Sequence, residues 1–80
     1  MPKLKILSGK DIIEILEDFG FLVIGQKGSY IKLCRYENDH KQTLTVPNHF
    51  ELDKGTIKAI YNQALRYISE NDLREFFYLK

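Results

Sequence analysis

Few side chains of this 80-residue chain could carry acid–base or nucleophilic chemistry near neutral pH: His40, His49 and Cys34. An imidazole titrates near neutrality. Held beside a phosphodiester, it can take a proton from a ribose 2′-hydroxyl or give one to the leaving oxygen, cleaving RNA without a metal. His40 falls in "ENDHK", whose composition reads as a solvated turn. His49 follows "VPN" at the end of an apolar run, and a loop residue at a sheet edge is the better candidate. Cys34 is the only cysteine, so neither an internal disulfide nor a cysteine-rich metal cluster can form. Its setting, "IKLCRY", reads as a strand in which the thiol is a small core hydrophobe. Tyr30 stands just after the turn in "QKGSYIKL", either as a strand aromatic or in a position where chemistry would be done. Gly28 fits a turn needing positive φ and Ser29 is an ordinary turn residue. Lys27 and Lys32 on either side could meet phosphates, or be plain solvated charge.

The elements that must position these residues follow from pattern. "SGKDIIEILEDFG" offers Ser8 as a helix cap with Asp11 three residues on, an apolar stripe of Ile12, Ile13, Leu16 and Phe19, and Gly20 as the stop. "FLVIGQK" and "YIKLCRYE", joined by "GS", read as a β-hairpin. In its second strand Tyr30, Lys32, Cys34 and Tyr36 share one face and Ile31, Leu33 and Arg35 the other; pattern leaves open which is buried. "NDH" turns the chain into a third strand, "KQTLTVP", closed by Pro47. A second long helix is capped by Asp53 and carries Ile57, Ile60, Tyr61, Ala64, Leu65 and Ile68 as its apolar stripe. Gly55 and Thr56 at its start could offer free backbone N–H groups to phosphate, or simply begin the helix. A short third helix, capped by Asn71, carries Leu73, Phe76, Phe77 and Leu79. Phe76, Phe77 and Tyr78 exceed what a small core needs, so part of this segment is expected to face a partner or a second copy. The order α-β-β-β-α(-α) predicts an α+β fold, a three-stranded antiparallel sheet with helices on one face and the other face left available.

Length and composition bound the rest. Eighty residues support one core, so residues 1–80 read as a single domain. With 44 % hydrophobic and 29 % charged residues the chain sits near the averages of soluble globular proteins, which argues against disorder. No apolar run approaches the roughly 18 residues of a membrane span and no signal-peptide block opens the chain; a cytoplasmic protein with no membrane association is expected. The net charge of +1 hides a basic surplus at the start and centre of the chain, where Lys3, Lys5, Lys10, Lys27, Lys32, Arg35 and Lys41 lie. That surplus permits a local nucleic-acid footprint without making the case by charge alone.

Taken together, "LSGKDIIEILEDFGFLVIGQKGSY", "LTVPNHFELDKGTIKAIYNQA" and "ISENDLREFFYL" resemble the HicA (YcfA-like) family of bacterial and archaeal toxins, from about Leu7 to Leu79. The more specific elements are "GF" opening the first strand, "QKGS" at the hairpin, "VPNH" closing the third strand and "KGTIKAI" opening the second helix. The resemblance implies a double-stranded-RNA-binding-domain-like fold, a metal- and cofactor-independent mRNA interferase acting on mRNA, and a HicB-like antitoxin that covers the active site. It also implies that the residue after "GS" is usually a histidine regarded as catalytic, whereas this chain has Tyr30 there, and that the family's second histidine position is His49. Phenols hold their proton until about pH 10 and are poor bases where imidazole works. Loss of activity by a factor of about 100–10,000 is therefore the first expectation. The resemblance makes Tyr30 and His49 the candidate catalytic pair, with Lys27, Gly28, Ser29 and Lys32 as candidate RNA-binding residues. A catalytically silent module that keeps only the antitoxin surface is the competing reading. A plain double-stranded-RNA binder is disfavoured by the near-neutral charge.

Overall fold

In the computed structural model, which describes residues 3–79, the first helix starts where its cap chemistry says it must. Ser8 Oγ accepts from the Asp11 N–H at 3.0 Å while the Asp11 carboxylate accepts from the Ser8 N–H at 2.9 Å, a reciprocal capping box. This helix, α1 (Gly9–Asp18), buries Ile12 and Leu16 completely and ends at Gly20, whose φ of +94° only glycine adopts cheaply. Three strands follow, β2 (Leu22–Lys27), β3 (Tyr30–Glu37) and β4 (His40–Pro47), preceded in the chain by a two-residue β1 (Lys3–Leu4). The strands form an antiparallel sheet in the order β2-β3-β4. Two helices, α2 (Lys54–Ala64) and α3 (Glu70–Phe77), and a two-residue β5 (Tyr78–Leu79) complete the order.

The α+β class, the three-stranded antiparallel sheet and the helices on one face are as expected. The inner sheet face presents Ile31, Leu33, Leu44 and Val46 to Ile12 and Leu16 of α1, Ile57, Ile60, Tyr61 and Ala64 of α2, and Leu73 and Phe77 of α3. The face left open by sequence pattern is thereby decided: Ile31 and Leu33 point inward, and Tyr30, Lys32 and Tyr36 face water. Cys34 is free and buried, 6 % exposed, as its setting suggested.

Several local expectations need correction. The β3–β4 turn is Asn38-Asp39, both at positive φ (51° and 66°), the conformation a two-residue hairpin requires. His40 is therefore the first residue of β4, paired with Glu37, rather than part of the turn. The second helix ends at Ala64: Arg66 and Tyr67 donate to the carbonyls three residues back (3.1 and 2.9 Å), tightening the last turn so that Ile68 swings into the core. Ser69, not Asn71, occupies the cap position of α3, with Glu70 and Asp72 in the first turn where the helix dipole favours acids. The C-terminal aromatics are largely absorbed inside. Phe77 is fully buried, Phe76 meets Phe19 edge-to-face at 5.5 Å, and Tyr78 meets Tyr61 likewise at 5.3 Å. The pairing of β1 with β5, Lys3 opposite Leu79 and Leu4 opposite Tyr78, had no signal in a pattern only two residues long.

Arg35, part of the basic surplus at the centre of the chain, serves the fold instead of a ligand-facing surface. Its side chain is 15 % exposed and lies over the Phe21 ring, 4.8 Å from the centroid. It donates to the Gln42 side chain (2.8 Å), to the Phe19 carbonyl after α1 (2.8 Å) and to the Tyr67 carbonyl after α2 (3.0 Å). A planar, permanently charged fork thus satisfies carbonyls just beyond the C-termini of two helices.

Candidate functional site

Strand register gathers most of the residues singled out by sequence on the outer sheet face. Lys27 of β2 and Pro47 of β4 flank Tyr30 across the sheet, and two residues along β3, Gly25 and Thr45 flank Lys32. Directly opposed residues share a face, so Lys27, Tyr30, Lys32 and Thr45 form one water-facing patch, with Lys27 across from the phenol and Lys32 two residues along its strand. Gly28 and Ser29 make the turn that sets this register, Gly28 at φ +59°, and the Gln26 side chain braces it by donating to the Gly28 carbonyl at 2.8 Å.

Tyr30 is 57 % exposed and lines an open cleft of about 610 Å³ together with Thr45, Pro47 and one side of α2, including Asp53, Thr56 and Gln63. The start of α2 is already capped, because Asp53 Oδ1 accepts from the Thr56 N–H at 2.7 Å. Bonds from Thr56, through its hydroxyl and then its backbone N–H, hold the Asp53 carboxyl below the usual range. A carboxylate at this end of the cleft repels phosphate, which weighs against Gly55 and Thr56 as a phosphate cradle.

His49 lies elsewhere. It lines a second cleft, about 330 Å³, with Ser8 and Lys10 at the start of α1 and with Asn48 and Phe50. Tyr30 does not line that cleft, and His49 does not line the Tyr30 cleft. The two are nevertheless coupled through backbone. The Asn48 N–H donates to the Ser29 carbonyl at 2.6 Å, and the Gly9 N–H to the His49 carbonyl at 2.8 Å. The turn before Tyr30, the loop bearing His49 and the start of α1 are thus stitched side by side. Gly9 is required for this. A Cβ there would strike the Pro47 carbonyl oxygen and come within 2.8 Å of Asn48 Cα, both backbone atoms with no room to yield.

Sequence reasoning missed Lys10, Asn48 and Phe50 as neighbours of His49. Their only available signal was position beside "VPNH" and beside a capped helix start, which says nothing about their meeting in space. Among the described residues no helix is long and apolar enough to cross a membrane.

Neither the curated proteins nor the solved structures compared with the chain give a match. Residues 9–65 do match the family described as the HicA toxin of bacterial toxin–antitoxin systems, a span running from the start of α1 through the first residue beyond α2 and containing the Tyr30 patch and the His49 loop. The chain therefore belongs to the HicA toxin family.

Proposed function

We propose that residues 1–80 form a single RNA-directed toxin domain of the mRNA interferase type, working in the cytoplasm, restrained by a HicB-like antitoxin and weak as a nuclease because Tyr30 replaces the family's usual histidine. The observation that carries this reading is the outer-face patch, in which Lys27 and Lys32 neighbour Tyr30 within a chain of the HicA family. Lysines spaced across two strands suit the backbone of a single RNA strand. Cleavage begins when the ribose 2′-hydroxyl attacks its own phosphodiester, which needs a base for the hydroxyl proton and an acid for the departing 5′-oxygen. In this assignment the lysines hold the phosphate, the Gly28-Ser29 turn sets their spacing, and Tyr30 donates a hydrogen bond to a phosphate oxygen or stacks on a base. In this assignment His49, at the family's second histidine position, is the group given the proton transfer.

A second reading is favoured by one specific observation, that Tyr30 and His49 line different clefts. On it the chain keeps the toxin surface and the antitoxin partner but cleaves nothing. The two readings part in one experiment. The chain, Tyr30→His and His49→Ala are expressed without antitoxin while growth and message levels are followed. Weak message loss in the parent, abolished by His49→Ala and raised about 100- to 10,000-fold by Tyr30→His, is the expected result. Message loss that appears only in Tyr30→His, with antitoxin binding intact in the parent, supports the silent module instead.

A further inference from the structure

The cleft that holds His49 contains an aromatic ring in an unusual state. Phe50 is the most exposed large hydrophobic side chain among the described residues, at 102 % of its reference area. An unburied phenyl ring forgoes roughly 2–3 kcal/mol of burial free energy. It does so on a held backbone, because the segment is fixed before it by the Asn48–Ser29 and Gly9–His49 bonds and after it by the bond from the Leu52 N–H to the Leu7 carbonyl at 3.2 Å. An exposed ring on a held backbone offers an open face to a flat partner.

The polar lining of the same cleft indicates that partner's chemistry. Beside Phe50 the cleft is lined by Lys10, His49, Asn48 and Ser8, with no acidic residue among them. The nearby Asp11 carboxylate is turned into the capping box with Ser8. The capping box and the His49 carbonyl occupy the Asp11 and Gly9 N–H groups at the start of α1.

We propose that Phe50 and Lys10 form a nucleotide subsite in which a splayed base of single-stranded RNA stacks on the Phe50 ring and its phosphate meets Lys10, beside the Asn48 amide. The proposal rests on the RNA-directed reading above and extends it from the sheet face to the start of α1. The Asn48–Ser29 backbone bond sets the loop bearing Phe50 beside the turn that precedes Tyr30.

The test measures binding of a fluorescently labelled single-stranded octaribonucleotide of mixed sequence, and of the same sequence as a duplex, to the full chain and to Phe50→Ala, Lys10→Ala and Lys32→Ala at several salt concentrations. Because Phe50 makes no core contact, Phe50→Ala should retain the parent's circular dichroism and melting temperature. The expected result is a loss of single-strand affinity of about 5- to 100-fold for Phe50→Ala with an unchanged salt slope. Lys10→Ala should lower the slope of log affinity against log salt by about 0.7. A parent that binds, is weakened by Lys32→Ala and is indifferent to Phe50→Ala and Lys10→Ala overturns the subsite and leaves the RNA-directed reading standing. A parent with no affinity for either RNA overturns that reading and the subsite with it. Loss of antitoxin association in Phe50→Ala with RNA affinity intact makes the ring a protein contact and also overturns the proposal.

Discussion

At the scale of single residues, Arg35 shows how far a side chain's role depends on where the backbone carries it. Its guanidinium reaches one side-chain and two backbone acceptors while covering the Phe21 ring, so truncation removes charge-assisted bonds and leaves part-buried carbonyls with no donor. Arg35→Ala should cost roughly 2–4 kcal/mol of unfolding free energy. Arg35→Lys should recover only part of it, since a compact ammonium cannot span three acceptors. Urea denaturation of the three proteins checks this, and equal midpoints for parent and lysine variant would contradict it. Cys34 buries its thiol without any chemical duty that the structure reveals, and Cys34→Ala should leave RNA binding unchanged.

At the scale of elements, two helix starts determine where functional groups sit. Alanine is the better helix former than glycine by about 1 kcal/mol. At position 9, however, the clash of its Cβ with the backbone of Pro47 and Asn48 costs more. Gly9→Ala is therefore expected to destabilise by about 1–3 kcal/mol and to displace the loop bearing His49 and Phe50. A lower melting temperature together with shifted amide resonances for residues 47–50 is the observable. The α2 cap is pH-dependent. The folded state depresses the Asp53 carboxyl, so its stabilisation is fully present above the ordinary carboxylate range and lost as pH falls through the folded value. The acid limb of a melting-temperature profile should accordingly be shallower in Asp53→Asn than in the parent. In the alkaline range the sign reverses for Tyr61. Desolvation, then its bond to Glu70 at 3.2 Å, raise its phenol, so the stability it contributes is present at neutral pH and lost as pH rises past the ordinary phenol value.

At the scale of the whole molecule, one continuous apolar cluster joins the inner sheet face to all three helices, and the C-terminal segment is part of it. Phe77 is fully buried against Tyr61 at 5.2 Å, although residues 66–79 lie beyond the stretch that matches the family. Phe77→Ala should cost about 3–5 kcal/mol, a large share of the roughly 4–12 kcal/mol available to a chain of this size. It should leave the protein largely unfolded near 37 °C by circular dichroism. A cooperative melt close to the parent's would show that α3 and β5 are dispensable. The cluster leaves β2 uncovered, with Leu22, Val23 and Ile24 about half exposed or more on an edge strand that carries a register shift between Val23 and Gly25.

The amino-acid order by itself determined what depends on neighbours along the chain. The Ser8–Asp11 capping box, the stop at Gly20, the turn at Gly28, the cap at Asp53 and the alternation along β3 are all interactions within a few residues, so their signals are local. Family membership was legible for a related reason, since "QKGS", "VPNH" and "KGTIKAI" are contiguous words. Tertiary structure alone decided which sheet face is wet, that Arg35 serves two helix ends, that β1 closes on β5, and that Tyr30 and His49 open onto different clefts while Lys10 and Phe50 join His49. Each of those depends on groups far apart in the chain, brought together by sheet register and by burial of a shared apolar surface, and no spacing along the sequence encodes that distance.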